Sequence, residues 1–230
     1  MWEEHNMLPF RDRAEAGRLL GTALAAYGGH PELLVLALPR GGIPVGYAVA
    51  KALGAPLDIF VVRKLGAPGN PELAIGAVAP GGVCILQEEI IAGLEIPADE
   101  VAIIATREEQ ARRESEEQYR RNLPAQPIGD ATVILVDDGI ATGATMRAAI
   151  AALRKMQARK IVAAVPVASA STCRELPADQ VVCLATPDIF LTVGQWYVNF
   201  EQISDQQMAG LLEEASTFVA EGAPTCRCRD

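Results

Sequence analysis

Val133-Ile134-Leu135-Val136-Asp137-Asp138-Gly139-Ile140-Ala141-Thr142-Gly143-Ala144-Thr145 is the stretch from which the fold can be read. Its first four residues are apolar without alternation, which suits a strand buried on both faces. The two acids then fall at the carboxyl end of that strand, where open α/β sheets place their ligands. A loop of small residues follows and enters a helix near Thr145. Gly139, Ala141, Gly143 and Ala144 let the main chain come close to a ligand. Its N–H groups, the hydroxyls of Thr142 and Thr145 and the helix N-terminus form a cup for one phosphate. Two carboxylates beside a phosphate cup would only repel a bare phosphate. They suit a ligand with hydroxyl donors a sugar's length away, so that Asp137 and Asp138 accept from vicinal ribose hydroxyls while the loop holds the 5′-phosphate.

Outward from that stretch, strand and helix patterns alternate. Asp12–Ala26 has apolar residues at helical spacing and is stopped by Gly28-Gly29. Leu33–Leu38 reads as a buried strand, Pro39-Arg40-Gly41-Gly42 breaks it, and Val45–Leu53 reads as a helix. Leu57–Val62 is the next strand, closed by Arg63-Lys64. Ala67–Pro71 is turn-rich, and Leu73–Val78 with Val83–Gln87 forms a short antiparallel pair. Pro97 opens a helix to about Arg121 whose Arg/Glu pattern marks a solvated face. After Thr132–Val136, a helix runs through Met156, and Lys160–Val167 and Val181–Ala185 are further strands with Ser169–Leu176 between them. Phe190–Phe200 is partly extended, and a helix runs from Ser204 to about Val219. The expected fold is α/β: a doubly wound, mostly parallel sheet flanked by helices, with a small hood from the C-terminal region. Residues 1–230 form one domain, with a core at about 30–186, a flexible loop at about 65–82 and the hood at about 187–220.

The composition narrows the function. Of 230 residues half are apolar, 21% are charged, and the formal charge is −9, which argues against nonspecific attraction to nucleic-acid or lipid phosphates. Apolar runs are too short to cross a bilayer. Met1-Trp2-Glu3-Glu4-His5 carries acids where a secretory leader would carry Lys or Arg, so the expectation is a cytoplasmic protein without membrane or nucleic-acid partners. Cys84 and Cys183 lie in apolar surroundings that suit inert thiols, and Cys226-Arg227-Cys228 makes at most an incomplete metal site. Only His5 and His30 are present, which excludes a multi-histidine metal centre. Neither of the two common glycine-rich phosphate signatures occurs.

The thirteen-residue stretch resembles the 5-phosphoribosyl-1-diphosphate (PRPP) motif of the type I phosphoribosyltransferases, its wording closest to the adenine-type enzymes. Pro39-Arg40-Gly41-Gly42 resembles the pyrophosphate loop of that family, which implies diphosphate binding by Arg40, Gly41 and Gly42 and a non-proline cis peptide between Arg40 and Gly41 or close by. Arg63-Lys64 resembles the basic pair before the mobile catalytic loop. Alternation lets one of the two reach the diphosphate, with Arg63 favoured, and Glu72 in the loop is a candidate for proton transfer or a loop-stabilising acid. Pro187–Tyr197 resembles the base-binding hood of the 6-oxopurine enzymes, with Phe190 or Trp196 as the stacking aromatic. Phe10-Arg11-Asp12-Arg13 and the segment from Gly66 to Glu72 resemble a little-characterised bacterial subgroup of the family. Two departures stand out: Ala141 replaces the aspartate base of the 6-oxopurine enzymes, and about Pro166 replaces their base-recognising lysine.

The resemblance implies transfer of a phosphoribosyl group from PRPP to a nitrogenous acceptor with release of pyrophosphate, as in nucleotide salvage, by a homodimer. Asp137, Asp138, Arg63 and Lys64 would be catalytic. The cofactor would be Mg²⁺, carried largely by substrate oxygens with Asp137 and Asp138 as the protein's donors. The alternative is a regulatory or sensor protein that binds PRPP without turnover.

Overall fold

The computed structural model describes residues 9–121 and 123–217. Five parallel strands form the main sheet in the order β2-β1-β6-β7-β8: β1 (Leu33–Ala37), β2 (Leu57–Ile59), β6 (Thr132–Val136), β7 (Lys160–Val167) and β8 (Gln180–Ala185). Every residue of β1 is buried, which is why its apolar run does not alternate. Leu33, Val35 and Ala37 face one layer of helices: α1 (Arg13–Ala23), α2 (Gly42–Leu53) and α7 (Asp205–Ala215). Leu34, Leu36 and Leu38 face α5 (Ala144–Lys155) on the other side. The sheet is therefore doubly wound, and the expected fold class holds.

Between β2 and β6 the chain departs from the expected path. Residues 65–82, expected as a glycine- and proline-rich loop, lie mostly in an antiparallel sheet of β3 (Arg63–Ala67), β4 (Asn70–Ala79) and β5 (Val83–Leu86). Register shifts around Gly66 and Pro71 at the start of β4 obscured the alternation in the sequence. The expected pairing of 73–78 with 83–87 is present. One face of this small sheet packs on α5 through Val83 and Ile85, and the other packs on α4 (Ala98–Arg120) through Leu65 and Val78.

Several boundaries also move. β2 ends at Ile59 instead of Val62, because the chain turns there into β3, which begins at Arg63. α2 begins at Gly42, three residues before the expected start, with Pro44 tolerated in its first turn. Two short helices, α3 (Glu88–Gly93) and α6 (Ala170–Glu175), complete the fold, the first of them unforeseen. α7 is capped by a reciprocal Ser204–Gln207 box. Its expected end at Val219 and the Cys226/Cys228 pair lie outside the described residues. Among the described residues no helix is long and apolar enough to cross a membrane.

Candidate active site

Parallel pairing of β1 with β6 sets Ala37 beside Val136, so the turns that follow both strands emerge at the same edge of the sheet. They touch. A Cβ added to Gly41 would stand 1.9 Å from Asp138 Oδ2, and one added to Gly42 would stand 2.8 Å from the Val136 carbonyl oxygen and 3.0 Å from Asp137 Cα. Only glycine fits this interface. A non-proline cis peptide joins Pro39 to Arg40, next to the Arg40–Gly41 bond and within the expected stretch. Among the described residues, no hydrogen bond uses the amides of Arg40 and Gly41, which leaves them free for an anion.

The second turn forms a comparable cradle. The carbonyl of Thr142 accepts from Arg147 Nη2 (2.7 Å), and that of Ala141 accepts from Thr172 Oγ1 (3.2 Å). With those carbonyls held by the protein, the amides of Ala141, Thr142 and Gly143 take no acceptor among the described residues. Gly143 has φ +75°, a left-handed conformation that suits glycine, and α5 starts at the next residue. Ala141, Thr142, Ala144 and Thr145 are exposed, and Gly139 is buried beneath Val193 of the hood. Arg147 and Thr172 were not foreseen. Arg147, one turn into α5, could have been suspected, but Thr172 lies 31 residues from its partner.

The two carboxylates differ more than their adjacency suggests. Asp138 is buried, and its Oδ2 accepts from Arg13 Nε at 2.7 Å. Its main-chain carbonyl accepts from the Tyr197 hydroxyl at 2.5 Å. Asp137 is half-buried, and its Oδ1 accepts from the Asp138 amide at 2.8 Å. Among the described residues no side chain donates to it. Burial, then the neighbouring Asp138 charge, pushes the Asp137 carboxyl well above the usual carboxylate range. Burial also raises Asp138, opposed by the hydrogen bond from Arg13. Burial, reinforced by the Asp138 charge, raises the Tyr197 phenol.

The basic residues are engaged elsewhere. The Arg40 guanidinium stands 3.0 Å from Asp205 Oδ1 at the start of α7, so it is the main chain of Pro39–Gly42 that faces Asp138. Arg63 and Lys64 open β3 instead of following a strand. They point to opposite faces, Arg63 to Glu108 of α4 (2.9 Å) and Lys64 to Glu72 (3.3 Å). Glu72 is almost fully exposed.

The chain between β8 and α7 forms the hood against the N-terminal segment. Phe10 N donates to the Trp196 carbonyl (2.9 Å), and Val198 N donates to that of Phe10 (2.8 Å). Phe190 and Trp196 stack on each other, 6.3 Å apart at 22°, and the Trp196 indole N–H is buried without a hydrogen-bond partner among the described residues.

The family model of the phosphoribosyl transferase domain matches residues 13–201, a span holding both turns, the acid pair and most of the chain between β8 and α7. The chain belongs to that family. The transferase domain is 41% identical to TT1426 from Thermus thermophilus, whose crystal structure superposes with a TM-score of 0.81 over 90% of this chain and 99% of that one. It is also 42% identical over 214 residues to proteins from two strains of Mycobacterium tuberculosis, each named "putative phosphoribosyl transferase". Those alignments cover 92% of this chain and 48% of each relative, so the chain spans about half the length of the curated relatives it matches.

Proposed function

We propose that this transferase domain moves the 5-phosphoribosyl group of PRPP to a nitrogenous acceptor and releases pyrophosphate. The observation that carries the reading is the contact between the two turns, with Gly41 and Gly42 against Asp138 and Asp137. PRPP has three groups to place: a 5′-phosphate, a ribose diol and a diphosphate on C1. The amides of 141–143 suit the first, the acid pair the second, and the amides of 40 and 41 the third.

The nucleophile displaces pyrophosphate from C1 with inversion, through an oxocarbenium-like transition state. Positive charge grows on the ribose, where Asp137 and Asp138 favour it, and negative charge grows on the departing diphosphate, where the amides of the 39–42 turn favour it. Preorganised groups of this kind account for much of a transferase's rate because they need not reorient as charge develops. In this conformation Arg63 and Lys64 are tied to acids, so their part requires exchange of those ion pairs for diphosphate oxygens.

Among the described residues no three His, Cys, Asp or Glu side chains cluster as a metal cage. Asp137 fits a magnesium ion that arrives with substrate oxygens and keeps its waters, because no side chain among the described residues donates to its carboxylate; Asp138 has one oxygen committed to Arg13. Bound there, Mg²⁺ would offset diphosphate charge.

Calorimetry with PRPP and Mg²⁺, followed by pyrophosphate release across a panel of bases, tests the reading. Turnover with any base supports the transferase. Binding without turnover favours the sensor alternative, and no binding refutes both.

A further inference from the structure

Three parts of the chain meet at one guanidinium: the start of α1, the turn after β6 and residues 200–201. Arg13, the first residue of α1, is nine-tenths buried. Its Nε donates to Asp138 Oδ2 at 2.7 Å, and its Nη1 donates to the Glu201 carbonyl at 2.8 Å. Its Cζ lies 3.8 Å from the centre of the Phe200 ring. The strip before it, Phe10-Arg11, exchanges main-chain hydrogen bonds with Trp196, Val198 and Asn199.

Stability alone does not explain such a charge. Burying an ion pair is about neutral against an apolar replacement once desolvation is counted. What the fork of Arg does well is fix direction, since two donors set at a rigid angle can hold a carboxylate and a carbonyl in one geometry while the flat face stacks on a ring. Here the carboxylate lies between the two anion cradles, and the carbonyl and ring belong to the hood.

We propose that Arg13 is a positioning residue of the phosphoribosyl-transfer site, which fixes Asp138 by one oxygen and ties segment 197–201 to it, so that the sugar-binding acids and the hood are set as one body. This rests on the transferase reading. Asp137 and the second oxygen of Asp138 are then left for the ribose diol, and α1, which precedes the sheet, becomes part of the site.

The test is calorimetry of the full chain with PRPP plus Mg²⁺ and, separately, with pyrophosphate, together with hydrogen exchange at the Val198 and Asn199 amides. For Arg13→Met, PRPP affinity should fall roughly 10- to 100-fold, the scale for outer partners of a ligand-binding carboxylate. Pyrophosphate, which has no ribose, should bind within about twofold of wild type, a split that general damage to the fold would not give. The two amides should exchange faster. Arg13→Lys, which keeps the charge and loses the fork, should recover part of the PRPP affinity, and it carries the test if the Met variant does not fold. Wild-type PRPP affinity in Arg13→Met, equal losses for both ligands, or a Lys variant no better than Met overturns the proposal while leaving the transferase reading intact. Wild-type protein that does not bind PRPP overturns that reading first, before any variant is made.

Discussion

The carboxylate of Asp138 rests on the α-carbon of Gly41, so close that a methyl group there would stand 1.9 Å from Oδ2 and 2.4 Å from Cγ. Gly41 has φ −63° and ψ −31°, which any residue can adopt, so alanine meets no backbone strain at this position and the whole cost is the collision. Because Oδ2 is held by Arg13, the carboxylate cannot rotate away freely. Gly41→Ala should cost about 1–3 kcal/mol by overpacking. It should also lower pyrophosphate release about 10²-fold, the penalty for a displacement of roughly 1 Å in a catalytic group. Thermal melts and initial rates check both, and an alanine variant with wild-type kinetics would mean that the two turns do not pack this closely.

Asparagine at 137 and at 138 should differ in what they do to stability. Asp138→Asn leaves the buried Arg13 without its counter-charge, and removal of one partner of such a pair costs about 3–5 kcal/mol. Asp137 takes no side-chain donor among the described residues and sits in surroundings that disfavour its charge. Asp137→Asn should therefore change stability by less than about 1 kcal/mol. Activity should fall in both folded proteins, since both carboxylates serve the growing ribose charge, with Asp137→Asn losing about 10²-fold in kcat through lost transition-state electrostatics despite its small effect on stability. Denaturant titrations beside kinetics on both variants read the contrast directly.

The parallel sheet and its helices were legible because β1, β6 and β7 are continuous apolar runs between turn residues, a pattern that survives without any knowledge of partners. The turn after β6 was legible for a local reason: Asp137 to Thr145 carries its acids, glycines and hydroxyls in one strand–loop–helix unit. What escaped was non-local. Arg13 meets Asp138 across 125 residues, and nothing in Phe10-Arg11-Asp12-Arg13 distinguishes the buried arginine from the exposed one two places earlier. The small sheet was read in part as a loop because Gly66, Pro68, Gly69 and Pro71 are turn residues wherever they stand, and only the register of β3 on β4 absorbs them. Arg40 was assigned by its place in a resembling turn, whereas its side-chain direction depends on Asp205 from the far end of the chain.

Cys173 should be the reactive thiol of the described residues. The neighbouring Cys183 thiol holds its pKa down to about 7, whereas Cys183, whose thiol donates to the Ala185 carbonyl at 3.1 Å, is pushed up by the same neighbour and then by burial. Burial raises Cys84 as well. The thiolate is the nucleophile, so the alkylation rate of Cys173 should rise with pH through about 7 and level off above it. Cys183→Ala removes that neighbouring thiol and should move the midpoint up, towards the ordinary thiol range near 8.5. Iodoacetamide labelling against pH, with peptide mapping, locates the site. Equal labelling of Cys84 and Cys173 at neutral pH would contradict the assignment.

The proposed phosphate cradle depends on two donors behind it. Arg147 and Thr172 hold the carbonyls of Thr142 and Ala141, so the peptide planes of the loop present their amides on the other side. Peptide planarity makes this a lever: fixing a carbonyl fixes the direction of the amide joined to it. Thr172→Val keeps the shape and deletes one donor, which should cost about 1 kcal/mol of stability. Arg147→Met deletes the other and also removes a positive charge from beside Gly143, where Nη1 would stand 2.9 Å from an added Cβ. Each variant should raise the KM for PRPP several-fold, and Arg147→Met more than Thr172→Val because a charged donor makes the stronger hydrogen bond, about 1.5–3 kcal/mol. The effect should fall mainly on KM, since the 5′-phosphate changes no charge during displacement at C1 and its binding contributes equally to ground and transition states. A loss confined to kcat would place these residues in the chemistry of the diphosphate instead and would require the loop to face the other cradle.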